Sequence, residues 1–129
     1  MARERRDCRG SAVVEFALVS SLLVVLFGSL VQIGIALHVR NTLVAAAAEG
    51  ARYAAAADRS PADGVSRTKE VIESSLPAAY ASDVTAGYQS VAGLDTVVVE
   101  VRAPLPVAGL LGPVGDLVVR GHALAEVLP

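Results

Sequence analysis

Aromatic residues are scarce in this 129-residue chain, at 4% of positions with no Trp. Any core must therefore be built from Val, Leu and Ala. A single cysteine, Cys8, excludes an internal disulfide. It precedes the main apolar run, whereas a lipoprotein signal would place its cysteine after one. The two histidines, His38 and His122, have no Cys or carboxylate at ligand spacing, so no metal site or cofactor is expected. Gly109, Gly112 and Gly115 lack the following Lys-Ser/Thr of a phosphate-cradling loop. No serine sits in a nucleophile elbow. A formal net charge of -2 provides no basic field, so direct nucleic-acid binding is not expected. Together these absences argue against an enzyme.

What is abundant is apolar: 53% of residues, with a mean hydropathy of +0.54. Much of it lies in the nearly unbroken run 16–37, whose 22 residues would span about 33 Å as a helix. That is enough to cross a hydrocarbon layer of roughly 30 Å. The run exceeds the roughly 7–15 apolar residues of a secretory signal, and no small-residue cleavage site leads to a polar mature start. Four Arg against Glu4 and Asp7 make residues 1–10 basic, leaving seven basic and eleven acidic residues beyond them. This asymmetry keeps the amino terminus cytoplasmic and puts the rest outside. The domain expectation is thus a leader over 1–10, too short to fold, and an anchor helix over 11–57 with its membrane part at 16–37. A small extracytoplasmic domain over 58–129 completes it.

Helical character continues beyond the apolar run. Residues 41–57 are rich in Ala and lack Pro. Leu43, Ala47, Ala51, Ala54 and Ala55 fall on one face, and Glu49 can pair with Arg52 three residues on. One long helix from about Val14 to Ala57 is predicted. Gly50 inside it costs up to about 1 kcal/mol and implies close approach of a neighbouring backbone. Ser60, Pro61 and Asp63 then form a helix-start signature. The helix they open is expected to reach about Leu76, with Val65, Ile72 and Leu76 inward and Arg67, Lys69, Glu70 and Glu73 in water. Pro77 stops or kinks it, with a continuation through Ala81 possible.

The remainder reads as β-structure. Residues 84–89 form a weak strand candidate. Residues 96–103 form the strongest, with Val97, Val99 and Val101 alternating with Val98, Glu100 and Arg102. Pro104 and Pro106 close it. Residues 107–116 read as a loop with Leu110 and Leu111 tucked in, and 117–128 as a third strand. There Val119, Ala123, Ala125 and Val127 face one way and Arg120, His122 and Glu126 the other. Three short strands need a cover, and the Ala-rich part of the long helix supplies it. The fold class is therefore α+β: a long amino-terminal helix packed on a small antiparallel sheet.

One carboxylate, Glu15, stands just ahead of the apolar run, separated from Gly10 by four residues. A charge at the centre of a membrane helix costs roughly 2.5–3.5 kcal/mol on insertion scales, so a charge this close to the span calls for a partner or a reader. At the membrane surface Glu15 is also simply compatible with the positive end of a helix dipole. If a peptidase cuts after Gly10, the new amino group at Ser11 gives the carboxylate of a neighbouring copy something to neutralise. Such a pair would fix the axial register of packed helices.

Gly10-Ser11-Ala12-Val13-Val14-Glu15-Phe16-Ala17-Leu18 resembles the start of TadE-like proteins, minor pseudopilins of tight-adherence (Tad/Flp, type IVc pilus) systems. The likeness continues through Gln32-Ile33-Gly34, His38-Val39-Arg40 and Ala48-Glu49-Gly50-Ala51-Arg52. A glycine followed by this glutamate is shared by type IV pilins at large; the Glu49-Gly50-Ala51-Arg52 block is what narrows the family. Ser20-Ser21 stands where such proteins often carry a proline, which removes the basis for a kink there. The resemblance implies cleavage by a prepilin peptidase between Gly10 and Ser11, with Glu15 and Phe16 serving recognition and register. It implies a pilin-like fold and insertion into the inner membrane. The implied partners are the prepilin peptidase, Flp-type and TadE/TadF-like pilins or pseudopilins, an inner-membrane assembly platform, and lipid. The competing expectation is an uncut single-span membrane protein whose outer domain binds or regulates a partner.

Overall fold

The computed structural model describes residues 2–105 and 116–126, with side chains from residue 8 onward. In chain order it contains α1 (Ala2–Ala55), α2 (Pro61–Glu73), a one-turn 3-10 helix (Ala78–Ala81), β1 (Val84–Val91), β2 (Leu94–Pro104) and β3 (Asp116–Leu124). The α+β expectation matches this arrangement. The chain divides into two compact units, Met1–Gly34 and Ile35–Pro129.

The first unit holds the beginning of α1. The helix starts at Ala2 rather than near Val14, so the segment read as too short to fold is helical. Ala, Arg and Glu are good helix formers, and residues added to an existing helix avoid the cost of nucleation. From residue 11 to residue 34 nearly every side chain is exposed. The hydroxyls in the run do not break its apolar character, because they bond back to the helix. Ser21 Oγ donates to the Ala17 carbonyl at 2.7 Å and Ser29 Oγ to that of Val25 at 2.8 Å.

The second unit has a main core and a smaller cluster of Ala54, Ala55 and Val97 beside it. The last part of α1 buries a stripe of Val39, Leu43, Ala46, Ala47, Gly50, Ala51 and Ala54, at spacings of three and four. Val97, Val99, Val101, Ala103 and Val119 of the sheet and Ile72 of α2 are also buried. Burying each Leu or Val side chain of this kind contributes roughly 1.5–3 kcal/mol. The stripe is mostly small residues, so backbones rather than long side chains set the spacing. A Cβ added at Gly121 of β3 would collide with the backbone of Ala47 and Ala48. Only glycine lets β3 lie that close to the helix.

α2 is opened as the sequence predicts. Asp63 N–H donates to Ser60 Oγ at 3.4 Å, and Ser60 N–H donates to Asp63 Oδ2 at 2.8 Å, with Pro61 in the first turn. The bond from Ser60 N–H foremost, and a second from the Ser60 hydroxyl to the same Oδ2 at 3.0 Å, hold the Asp63 carboxyl below the usual carboxylate range, assisted by Arg59. α2 ends at Glu73 instead of Leu76. Ser74 turns its hydroxyl onto the Val71 carbonyl at 2.6 Å, a local bond that competes with further helix, and Pro77 follows. Residues 78–81 then form a separate 3-10 turn.

The sheet is an antiparallel meander in the order β1-β2-β3. β1 and β2 join through Ala92 and Gly93, both at positive φ (51° and 79°), the tight two-residue turn that matches strand twist. The predicted alternation of β2 holds: Val97, Val99 and Val101 are buried, while Val98 and Glu100 are half-buried and Arg102 is exposed. On the open face Arg120 Nε donates to Glu100 Oε2 at 2.8 Å. That bond keeps the Glu100 carboxyl below its ordinary range, with a lesser contribution from Arg102. β3 ends at Leu124, short of the predicted residue 128. Ala125 N–H still donates to the Asp95 carbonyl, but Glu126 N–H donates to the Ala55 carbonyl at the end of α1. The chain has left the ladder for the helix. Residues 106–115, including Leu110 and Leu111, and Val127 and Leu128 lie outside the described residues.

Candidate functional site

The residues singled out in the sequence fall into two groups of different character. Gly10, Ser11, Glu15 and Phe16 lie on α1 in the first unit, all helical and exposed, with Phe16 75% exposed. A Cβ added at Gly10 would meet nothing within 4 Å. Packing within the chain therefore does not require glycine at that position. Glu15 is the only Asp, Glu, Lys or Arg between Arg9 and Arg40. The helix around it is long and apolar enough to cross a membrane, and none of its most hydrophobic window is buried within the protein. His38 and Arg40, at the far end of the run, are exposed, while Val39 between them joins the core.

Glu49, Gly50, Ala51 and Arg52 lie in the second unit, where α1 crosses α2. Ala51 is fully buried. A Cβ at Gly50 would run into the Thr68 side chain and sit 2.8 Å from the Gly64 carbonyl oxygen. Gly64 answers it: a Cβ there would lie 2.9 Å from the Gly50 carbonyl oxygen. The two glycines face each other and let the helix backbones touch. Thr68 closes the contact by donating its buried hydroxyl to the Gly64 carbonyl at 2.7 Å. The close approach inferred for Gly50 is thus met by α2.

Around this crossing runs a polar rim. Glu49 pairs with Arg52 at 3.2 Å, as its spacing predicts, and also with Arg67 of α2 at 3.5 Å. Arg67 reaches Glu70 at 3.4 Å as well. Tyr53 lies under two guanidinium groups, Arg59 at 4.4 Å and Arg67 at 6.0 Å from its ring centroid. Arg67 is therefore half-buried and ties the helices together, which corrects its reading as a water-facing residue; Lys69 is also half-covered. Its charge misled the sequence reading, because long basic side chains lay their stems along apolar surface. Gly64 and Thr68 were missed too. The available signal was two small residues four apart on the core side of α2, matching Gly50 on α1. Among the described residues, no group of His, Cys, Asp and Glu is placed to hold a metal ion.

Residues 10–52 match the family model described as TadE-like protein. That stretch, a third of the chain, is similar to TadE-like proteins. No curated protein and no solved structure matches it. The TadE-like stretch begins at Gly10 and ends at Arg52, so it takes in both groups of residues on α1. The partners of its Glu-Gly-Ala-Arg block, Gly64, Arg67 and Thr68, lie beyond it in the chain. The long apolar helix supports a single-pass membrane protein.

Proposed function

We propose that the chain is a minor pilin or pseudopilin of a Tad/Flp-type system, cut by a prepilin peptidase between Gly10 and Ser11. Residues 1–10 then remain cytoplasmic and the unit containing the sheet is outside. Its partners are the peptidase, other pilins or pseudopilins including Flp-type and TadE/TadF-like chains, and the inner-membrane platform that assembles them. Its role is structural rather than enzymatic. One observation carries this reading: a lone carboxylate, Glu15, on an otherwise apolar and uncovered stretch of helix, separated from Gly10 by four residues.

The chemistry follows from that arrangement. Hydrolysis of the Gly10–Ser11 bond frees an amino group on Ser11, and the Glu15 carboxylate of a neighbouring subunit neutralises it. Each charge is costly alone beside lipid, and the pair sets how far one helix slides along another. Assembly then waits on processing. Glycine suits the scissile position because a peptide must leave the helix to enter a protease, and a helix gives up Gly more easily than Ala by about 1 kcal/mol.

The deciding experiment is intact mass and amino-terminal sequencing of the protein from its native membrane. A chain beginning at Ser11 is expected; one retaining residues 3–10 would favour the uncut membrane protein. Gly10→Val is expected to block cleavage. Glu15→Ala should be cleaved but fail to assemble, and normal pilus output from both variants would remove the basis of the proposal.

A further inference from the structure

The two ends of the sheet lie at different levels along α1. Glu126 N–H donates to the Ala55 carbonyl at 2.8 Å, and Gly121 lies against the backbone of Ala47 and Ala48. Between these two points the chain runs in the same direction as α1 and covers about 11 Å of helix in five residues. The five residues back from Gly121 to Asp116 therefore bring the start of β3 to about the level of Arg40. Pro104 pairs with Asp116, so β2 ends there too. Val39 shares a core cluster with Ala103 and Val119, in agreement with that level. The Ala92-Gly93 turn is at the other end of β2, about 33 Å away along the strand.

The apolar run 16–37 ends in this same unit, where Ile35 and Leu37 are exposed. Arg40 is three residues beyond Leu37, about 4.5 Å along the helix. Each headgroup layer of a bilayer is roughly 5–7 Å deep. With the run in a membrane, the Pro104–Asp116 end of the sheet is at headgroup depth, and a helix tilt of about 20° towards the sheet carries it deeper. The residues at that end suit the place. The 3-10 turn leads into β1 there, and the chain from Ser74 to Ser82 has no charge. Ala78 and Ala79 are exposed, and Tyr80 is half-buried, an aromatic of the kind that favours membrane interfaces. Exposed charges of both signs surround the turn: Arg40 and Arg102, Asp83 and Asp116. Arginine takes phosphate and a carboxylate takes an ammonium group, the two charges of a zwitterionic headgroup. Residues 106–115 leave and rejoin the sheet at this depth and carry no charge, so no path they take puts a charge between the sheet and the lipid.

We propose that this end of the sheet is a lipid contact, separate from the span, in which the 3-10 turn and the ends of β2 and β3 rest on zwitterionic headgroups. Arg40 and Arg102 take lipid phosphate there, and Asp83 and Asp116 take the ammonium of phosphatidylethanolamine. The contact pulls the tilt of α1 towards the sheet, because only that direction deepens it. The lipid is selected by depth: the helix that carries the sheet also sets where the bilayer ends. The contact rests on the reading of 16–37 as a span. It does not depend on cleavage after Gly10.

The test uses the full chain with Cys8→Ser, reconstituted in vesicles of phosphatidylethanolamine and phosphatidylglycerol. A single cysteine carrying a fluorophore replaces Gly28, Ala79, Val91 or Asp116 in turn. Ala79, Val91 and Asp116 are exposed, and a Cβ at Gly28 meets nothing within 4 Å, so each substitution leaves the fold intact. Lipids with a nitroxide on the headgroup are expected to quench the labels at Ala79 and Asp116 and to leave that at Val91 bright. A nitroxide within the acyl chain should quench the label at Gly28. Adding Ala78→Asp and Ala79→Asp to the Asp116→Cys chain should reduce the quenching at that position. Quenching at Ala79 and Asp116 no greater than at Val91, with Gly28 quenched, would overturn the contact and leave the span standing. An unquenched Gly28 would overturn both. Quenching at Asp116 that the two added aspartates leave unchanged would show nearness without attraction, and that too would overturn the contact.

Discussion

The two parts of α1 are both helical and both rich in small and apolar residues, yet those residues have opposite consequences. In the first unit, Gly28 and Gly34 have open space where a side chain would be. In the second, Gly50 has the Thr68 side chain and the Gly64 carbonyl there. Leu22 is 67% exposed, whereas Leu43 is wholly buried. Composition alone does not separate these cases. The first part satisfies its apolar surface with a solvent outside the protein, and the second with the rest of its own chain.

Substitutions that are equal in chemistry but placed in different parts break this comparison. The largest contrast is between Gly50→Leu and Gly34→Leu. The first forces helix backbones apart and should cost about 4 kcal/mol or more, leaving little folded domain. The second should leave domain stability unchanged; thermal unfolding of the full chain in detergent reads both. Next comes Leu43→Ala, which should cost about 3 kcal/mol, against Leu22→Ala, which should cost the domain nothing by the same measurement. Equal losses in either pair would show that the two parts fold as one.

Smaller effects sharpen the comparison within the second unit. There α2 is 13 residues long and depends on its cap. Ser60→Ala should cost about 1 kcal/mol in chemical denaturation. The Asp63 carboxyl is depressed in the folded state, so its contribution is complete above the ordinary carboxylate range. It is lost as pH falls through that range towards the lower folded value. Stability should therefore fall with acid, and less steeply in Asp63→Asn. The smallest expected effect is a gain. Ala92 sits at φ 51°, a conformation costly for any residue with a Cβ. Relief of that strain in Ala92→Gly, less the added freedom of the unfolded chain, should stabilise by about 0.5 kcal/mol, seen as a higher denaturation midpoint.

Wherever one pattern had one physical meaning, the sequence was legible. The apolar run, the alternation of Val97, Val99 and Val101, and the Ser60–Asp63 cap each reflect local geometry, and each is present. The start and end of elements were less legible. The amino-terminal ten residues join the helix because extension costs little once a helix exists. β3 stops at Leu124 because the next amide but one finds the carbonyl of Ala55, a partner far away in the chain.

By itself, then, the sequence determined the α+β class, the long apolar helix with its lone Glu15, and the positions that alternate between core and water. These follow from periodicity and from what a charge or an apolar run requires of its surroundings. The tertiary structure alone decided what the Glu49-Gly50-Ala51-Arg52 block does within the fold, because its meaning lies in Gly64, Arg67 and Thr68, residues of another helix. It also decided the strand order. Close packing is a property of pairs of surfaces, and no single stretch of sequence contains both members.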